Sequence, residues 1–369
     1  MKIALITIHN STNYGAVLQA YATKKVLSNY GIVNTIDYTN EHLKKRVKLF
    51  RFLPSVHGFK MLAHDILRLP YRLKVLLVFR KFIQSKMNLT PKLSSNNLIN
   101  NKLSDYNIYV CGSDQIWNPA IISDTNEIDP IFFLSFVSKG IKKFSYASSI
   151  GHHNYTESEK IVVKDLLEDF TMISTRGSDG VKKLLDIFPN RKIHHVVDPT
   201  LLLSKKDWLT TFDIQLKEPK EKYILVYSVP RSQLLRDAIA FYAKKLNLKV
   251  IAIDKVLISM PKVDKQIRAA GPKEFIELFA NASFIITDSF HGTCFAVNFK
   301  KPFVSISVGN IENRAFSLLS ALGISERLVR DEKRFNSQLL EMDYKSVTTR
   351  LEKLRKESLH FIDKAISKN

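Results

Sequence analysis

Apolar positions along the chain follow two alternating periods. "KIALITI" (2–8) is a short unbroken apolar run of the kind buried parallel strands use, and "GAVLQAYATKKVLSNYG" (15–31) spaces its apolar residues at helical intervals up to Gly31, read as a C-cap. "NTIDYT" (34–39) reads as the next strand, so the chain opens with a β-α-β unit. "FKMLAHDILRLPYRLKVLLVFRKF" (59–82) predicts a basic amphipathic helix broken near Pro70. Strands are then expected at "YNIYVC" and "KKFSYAS". Thr156 and Glu159, at capping-box spacing, open a helix over "ESEKIVVKDLLEDF". "TMISTR" and "HHVVDPTLLL" complete the series as strands.

A second series follows "SKKDWLTTFDIQLKEPKE" (204–221), which is polar, charged and carries Pro219, and so reads as a linker. Strands at "KYILVYSV", "KVIAI", "SFIITD" and "PFVSIS" alternate with helices at "SQLLRDAIAFYAKKLN", "PKEFIELFANA" and "GTCFAVNF". This alternation predicts an α/β protein of two Rossmann-like, doubly wound domains facing across a cleft. Their bounds are read as 1–205, with a basic helical insertion at about 41–105, and 206–345. A final helical stretch, 346–369, either caps the second domain or crosses back to the first.

Length agrees with this division, since 369 residues suit two domains of ordinary size. Cys111 and Cys294 are far apart and lie in or beside apolar runs, which predicts buried thiols in a reducing compartment. The cytoplasm is the expected location: "MKIALITIHNST" turns polar too early for a secretory signal, and no apolar stretch approaches the roughly 18 residues of a membrane span.

Net charge changes the picture more. Lys and Arg number 56 against 35 Asp and Glu, a balance of +21 that favours anionic partners. Basic residues gather between Glu41 and Asp105, interleaved with Leu, Phe and Val. One reading is a solvated helix face; another is a surface that docks on an anionic bilayer leaflet, making the protein peripheral at the inner face of the cell membrane. Nucleic acid is not expected, because no helix-turn-helix, zinc or RNA-recognition signature accompanies the charge.

The polar clusters all fall just after expected strands, where an open α/β sheet builds its site. In "DSFHGT", Asp288 or Ser289 can cap a helix whose first amides, at Gly292, Thr293 and Cys294, would point at an anion beside His291. An ordinary cap with a packed histidine is the other reading. In "NYGA", Asn13, Tyr14 and Gly15 make a tight turn before a helix, without a dinucleotide or P-loop fingerprint. Arg176, directly after a strand, could clamp a carboxylate or phosphate, or lie on the surface. Asp114 and Trp117 in "GSDQIWN" could hold a sugar, or form a turn over a buried Trp. No metal is expected, since the paired histidines 152–153 and 194–195 point to opposite faces and no ligand spacing occurs. A G-x-S-x-G hydrolase elbow is absent as well.

Taken in order, "NYGAVLQAYA", "VCGSDQIWNP", "FSYASSIG", "ISTRGSDGVKKL", "VVDPTLLL" and "ITDSFHGTCFAVNFKKPFVSI" resemble the polysaccharide pyruvyl transferase family from Asn13 to about Arg314. The resemblance implies a GT-B-like fold and transfer of the enolpyruvyl unit of phosphoenolpyruvate to a sugar acceptor, lipid-linked or free, without a cofactor. The product would be a pyruvate ketal on a capsule, exopolysaccharide or cell-wall polymer. It also implies that Arg176 and His291 are the catalytic pair contacting phosphoenolpyruvate. Substrate binding would fall to Asn13, Tyr14, Gly15, Ser113, Asp114, Asn118, Ser289, Gly292, Thr293 and Arg314. Two departures from the family pattern each remove a carboxylate: Ala16 stands where many members have Asp, and Gly177 where many have Glu. A nucleotide-sugar glycosyltransferase and a non-catalytic, membrane-tethering component of a synthesis complex are the competing readings.

Overall fold

The computed structural model describes residues 1–47, 66–99, 103, 105–216, 221–307 and 314–367. The expected helix over 59–82 therefore lies partly outside the described residues, as do Lys48 and the "KEPK" of the expected linker. The chain divides into two compact units. The first takes in the described residues of Met1–Lys48, Arg80–Leu202 and Lys353–Asn369; the second takes in those of Leu49–Phe79 and Leu203–Glu352.

In the first unit, β1 (Lys2–Ile6) leads into α1 (Tyr14–Leu27), then β2 (Ile32–Thr35). α1 ends at Leu27, four residues before Gly31, and is capped by Ser28, whose N–H and hydroxyl both bond the Lys24 carbonyl. Gly31 is required for another reason, because a Cβ there would collide with the Met1 carbonyl. α2 (Leu69–Lys86), counted with the second unit up to Phe79 and with the first from Arg80, starts with Pro70 in its first turn, where a missing N–H costs nothing. β3 (Ile108–Cys111) and β4 (Lys142–Ser145) complete a parallel sheet of order β2-β1-β3-β4. The capping box is formed: Thr156 Oγ1 accepts from the Glu159 N–H and Glu159 accepts from the Thr156 N–H, opening α3 (Glu157–Leu167).

β5 (Ile173–Thr175), α4 (Ser178–Ile187) and β6 (Ile193–His195) follow. β5 and β6 pair in parallel and abut β4 through bridges at Phe144–Met172 and Ser148–Thr175. "HHVVDPTLLL" is strand only over its first two residues. Asp198 then turns the chain, and Pro199–Leu202 is helical. The expected linker is also partly structured: Lys205–Thr211 is a helix with its own Ser204/Asp207 capping box, held by buried Trp208 against Phe295.

The second unit is a six-stranded parallel sheet of order β12-β11-β10-β7-β8-β9. Its elements are β7 (Tyr223–Tyr227), α5 (Gln233–Leu246), β8 (Lys249–Ile253), β9 (Lys265–Ile267), α6 (Pro272–Asn281), β10 (Phe284–Thr287), α7 (Phe290–Asn298), β11 (Phe303–Ile306), α8 (Arg314–Leu322) and β12 (Leu328–Val329). Each sheet is apolar through its strands because helices cover both faces of a parallel sheet. α9 (Lys345–Ser367) belongs from Lys353 onward to the first unit, where Ser358 Oγ accepts from the Val197 N–H at 3.0 Å and Lys142 Nζ bonds the Ile366 carbonyl at 2.7 Å. Among the described residues no helix is long and apolar enough to cross a membrane.

Candidate functional site

In each sheet the strand order reverses at one point, and the loops leaving the carboxyl ends of the strands there are where doubly wound folds bind ligands. In the second unit the reversal lies between β7 and β10. Asp288, the first residue after β10, ties the two loops together. Its carboxylate accepts from Ser228 Oγ (2.7 Å), the Val229 N–H (2.7 Å) and the Arg231 N–H (3.1 Å), all after β7. Burial raises the Asp288 pKa, and the hydrogen bonds, the Val229 N–H foremost, oppose that rise. Arg231 sits at φ +56°, a strained setting for a non-glycine residue. Its Nε meets buried Asp254 at 3.1 Å and its Nη2 donates to the Ile258 carbonyl at 2.8 Å, joining the loop after β8 to the same network.

Of the two expected caps, Ser289 is the one used. Its Oγ accepts from the Gly292 N–H at 3.4 Å, and its own N–H donates to Thr287 Oγ1 at 3.1 Å. Asp288 is thereby released from capping and braces the neighbouring loop instead. His291 lies in the first turn of α7, at the positive end of the helix dipole, buried and edge-on to Phe290 with ring centres 5.3 Å apart. The Arg314 guanidinium, heading α8, lies over the same Phe290 ring at 5.2 Å. His291 and Arg314 are thus brought together around one aromatic ring.

Gly292 and Thr293 serve the fold. A Cβ on Gly292 would overlap Thr287 Oγ1, so the glycine lets α7 approach β10. Thr293 Oγ1 is fully buried and engages the Ser289 carbonyl (3.2 Å) and Ser305 Oγ (2.9 Å) of β11. The first unit repeats the device five residues after its own strand-end threonine, with Gly180 of α4 set against Thr175.

In the first unit the reversal lies between β1 and β3. Arg176 does not stand there as an open fork. Its side chain is fully buried, with Nη1 on Asp198 (3.0 Å) and Ser113 Oγ (3.3 Å) and Nη2 on Asp114 (3.2 Å). Asp198 in turn accepts from the Thr200 N–H (3.0 Å) and hydroxyl (2.7 Å). Ser113 is equally enclosed, its carbonyl accepting from Thr7 Oγ1 at 2.8 Å. Asp114 keeps partial exposure at φ +79°.

Asn13 caps α1 by accepting from the Ala16 N–H at 3.2 Å and stays exposed, while Tyr14 and Gly15 are buried behind it. Asn118 is also a buried cap, accepting from the Ala120 N–H at 3.1 Å. Trp117 is core: it stacks on Phe133 at 5.3 Å and donates to the Phe132 carbonyl at 3.2 Å, so its ring has no face for a sugar. Among the described residues no group of three or more His, Cys, Asp or Glu could hold a metal ion.

Sequence reasoning missed Arg231, Asp254 and Asp198, and gave Asp288 a cap's role. Only Asp198 carried a legible signal, since Asp-Pro-Thr is a turn-forming triplet in which the Asp side chain bonds two residues on.

The sequence matches the family model described as polysaccharide pyruvyl transferase over residues 13–310. No curated protein sequence matches it. Among solved structures, the fold is similar to a putative UDP-N-acetylglucosamine 2-epimerase from Listeria monocytogenes (TM-score 0.56, 9% identity, 100% of this chain and 97% of that one). It is similar also to UDP-GlcNAc 2-epimerase from Neisseria meningitidis bound to UDP-GlcNAc (TM-score 0.52, 14% identity, 100% of both chains). At these identities the likeness establishes the fold, a GT-B-type pair of Rossmann-like domains.

Proposed function

Since the chain belongs to the polysaccharide pyruvyl transferase family, we propose that it moves the enolpyruvyl group of phosphoenolpyruvate onto two hydroxyls of a sugar in a cell-surface polysaccharide precursor. The observation that carries this reading is the grouping of His291 and Arg314 around Phe290 at the start of α7. An acid and a cation there meet the positive end of a helix, the equipment an enol phosphate requires.

In this reading a proton is added to the methylene carbon of phosphoenolpyruvate, leaving an oxocarbenium centre that one sugar hydroxyl attacks. Phosphate departs, and a second hydroxyl closes the ketal. Of the two hydroxyl protons released, one balances the proton taken up by carbon and the other leaves with phosphate. We assign His291 to donating the proton at carbon or at the departing phosphate, and Arg314 to the anion. Asp288, braced by Ser228 and Arg231, positions that loop. Arg176 becomes a positioning residue that fixes Asp114, the group of the first unit, with Asn13, that we assign to the acceptor. The acceptor is read as lipid-linked, and the setting as capsule or exopolysaccharide synthesis at the inner membrane face.

The test is incubation of the purified protein with phosphoenolpyruvate and an oligosaccharide or polyprenyl-linked sugar. Phosphate release and a ketal methyl signal in the proton spectrum are expected. Phosphate release without a ketal would overturn the reading, and turnover of a UDP-sugar in place of phosphoenolpyruvate would overturn it in favour of a glycosyltransferase.

A further inference from the structure

The second unit carries an exposed apolar surface assembled from segments remote in sequence. Leu67, just before α2, is 68% exposed, and Leu77, on α2, 63%; Ile258, in the loop after β8, is 79% exposed and Val229, after β7, 59%. Pro70, Leu73 and Leu77 recur at helical spacing on one side of α2, while Val75 and Phe79 turn inward. The two main segments are joined. Arg68 donates to the Lys255 carbonyl at 2.7 Å, and Arg268 donates to the Leu257 carbonyl at 2.7 Å while lying over the Tyr71 ring at 5.7 Å. The backs of these segments are fixed too, with Lys255 Nζ over Phe79 at 5.3 Å and Val78 filling the space a Cβ on Gly271 would need.

Charge identifies what such a surface would meet. Residues 66–79 hold three Lys or Arg (Arg68, Arg72, Lys74) and no Asp or Glu. Within the second unit, Lys74 is exposed beside the leucines, and Lys262 and Lys265 are exposed in the neighbouring segment, with Asp264 the acid among them. Exposed leucines ringed by cations match an anionic bilayer leaflet, which takes leucines into its acyl boundary and basic side chains at its phosphates.

We propose that this surface docks the protein on an anionic lipid bilayer. The docked face and the candidate site are mechanically continuous: the Ile258 carbonyl holds Arg231, whose N–H holds Asp288, the first residue of the loop that presents His291. Docking therefore sets the loops after β7 and β10 beside the leaflet that would carry a lipid-linked acceptor. This last consequence rests on the function proposed above; membrane binding itself does not.

Co-sedimentation with vesicles of phosphatidylcholine alone, and of equal parts phosphatidylcholine and phosphatidylglycerol, tests the proposal. Binding to the anionic vesicles alone is expected. Neutralising Lys74, Lys262 and Lys265 together should lower it by about a hundredfold. Leu67→Glu with Leu77→Glu, and separately Ile258→Glu, should each lower it about tenfold or more with circular dichroism and melting unchanged. Equal binding to both vesicles, or full binding by the leucine variant, would overturn the proposal. So would a wild-type dimer that the leucine variant converts to monomer, since the face would then be an interface between copies. Turnover of a soluble acceptor by the leucine variant separates the two readings: if vesicle binding is lost while that turnover persists, docking stands apart from chemistry.

Discussion

Thr287 Oγ1 occupies the space into which any Cβ on Gly292 would project, while donating a 2.7 Å hydrogen bond to the Tyr227 carbonyl across the sheet. The hydroxyl is held in place, so Gly292→Ala must push α7 away from β10. A loss of about 1–3 kcal/mol in urea unfolding is expected. Gly180→Ala, where the nearest Thr175 atom would lie at 3.0 Å, should cost less. Thr287→Ala in the Gly292→Ala background should recover part of the loss, a positive coupling measurable in a double-mutant cycle.

Arg176 joins two carboxylates in a setting with little water, so its removal leaves Asp198 buried without its cation. Arg176→Met should destabilise the protein by about 3–5 kcal/mol, and Arg176→Lys by less, because ammonium keeps the charge but cannot bridge both acids. Melting temperatures and steady-state kinetics separate the roles. A positioning residue changes both together, whereas a group that only binds phosphoenolpyruvate would raise KM with melting unchanged.

His291 is buried in the first turn of α7, edge-on to Phe290, and glutamine keeps a polar side chain of similar length there. His291→Gln should leave melting within about 1 kcal/mol of wild type while lowering the rate of phosphate release by about a hundredfold or more. Arg314→Ala should act mainly on KM for phosphoenolpyruvate. Unchanged phosphate release from His291→Gln would remove the histidine from the chemistry.

Two lysines give stability an alkaline signature. Burial, reinforced by Arg68, lowers the Lys255 pKa to about 8, and burial with Lys205 lowers that of Lys301 to about 8. In the unfolded chain both hold their protons up to about 10.4. Between these limits the unfolded state binds more protons, so stability rises as pH rises from about 8 toward 10 and is lost as pH falls back through the folded pKa. Both side chains are half-buried, which limits each contribution to about 1–2 kcal/mol. Lys255→Met and Lys301→Met should each flatten the rise seen in urea unfolding across that range.

Apolar runs revealed the inner strands and the amphipathic helices because burial on both faces imposes a pattern that composition cannot hide. β9 and β12 escaped notice: "KQI" and "LV" lie at the sheet edges, where short strands with polar residues leave no run to read. The polar clusters do follow strands, after β1, β3, β4, β5 and β10. Which residues face a ligand was less legible. Thr293, Ser113 and Trp117 are polar or aromatic neighbours of those loops, yet their side chains turn inward to Ser305, Asp198 and Phe133. Asp288 meets partners 57 to 60 positions earlier in the chain, a separation no local motif encodes.

The return of α9 to the first unit has a consequence for the order of synthesis. Tyr30 hydrogen-bonds Asp363, Val197 bonds Ser358, and Lys142 bonds Ile366, so the unit that β1 begins is closed by residues translated after the whole of the second. The second unit is complete in sequence by Glu352 and can reach its native contacts while its neighbour still waits for a last helix. A released chain that ends near residue 352 should accordingly resist protease in its later half and be cut in its earlier one, the reverse of the usual progression from the amino terminus.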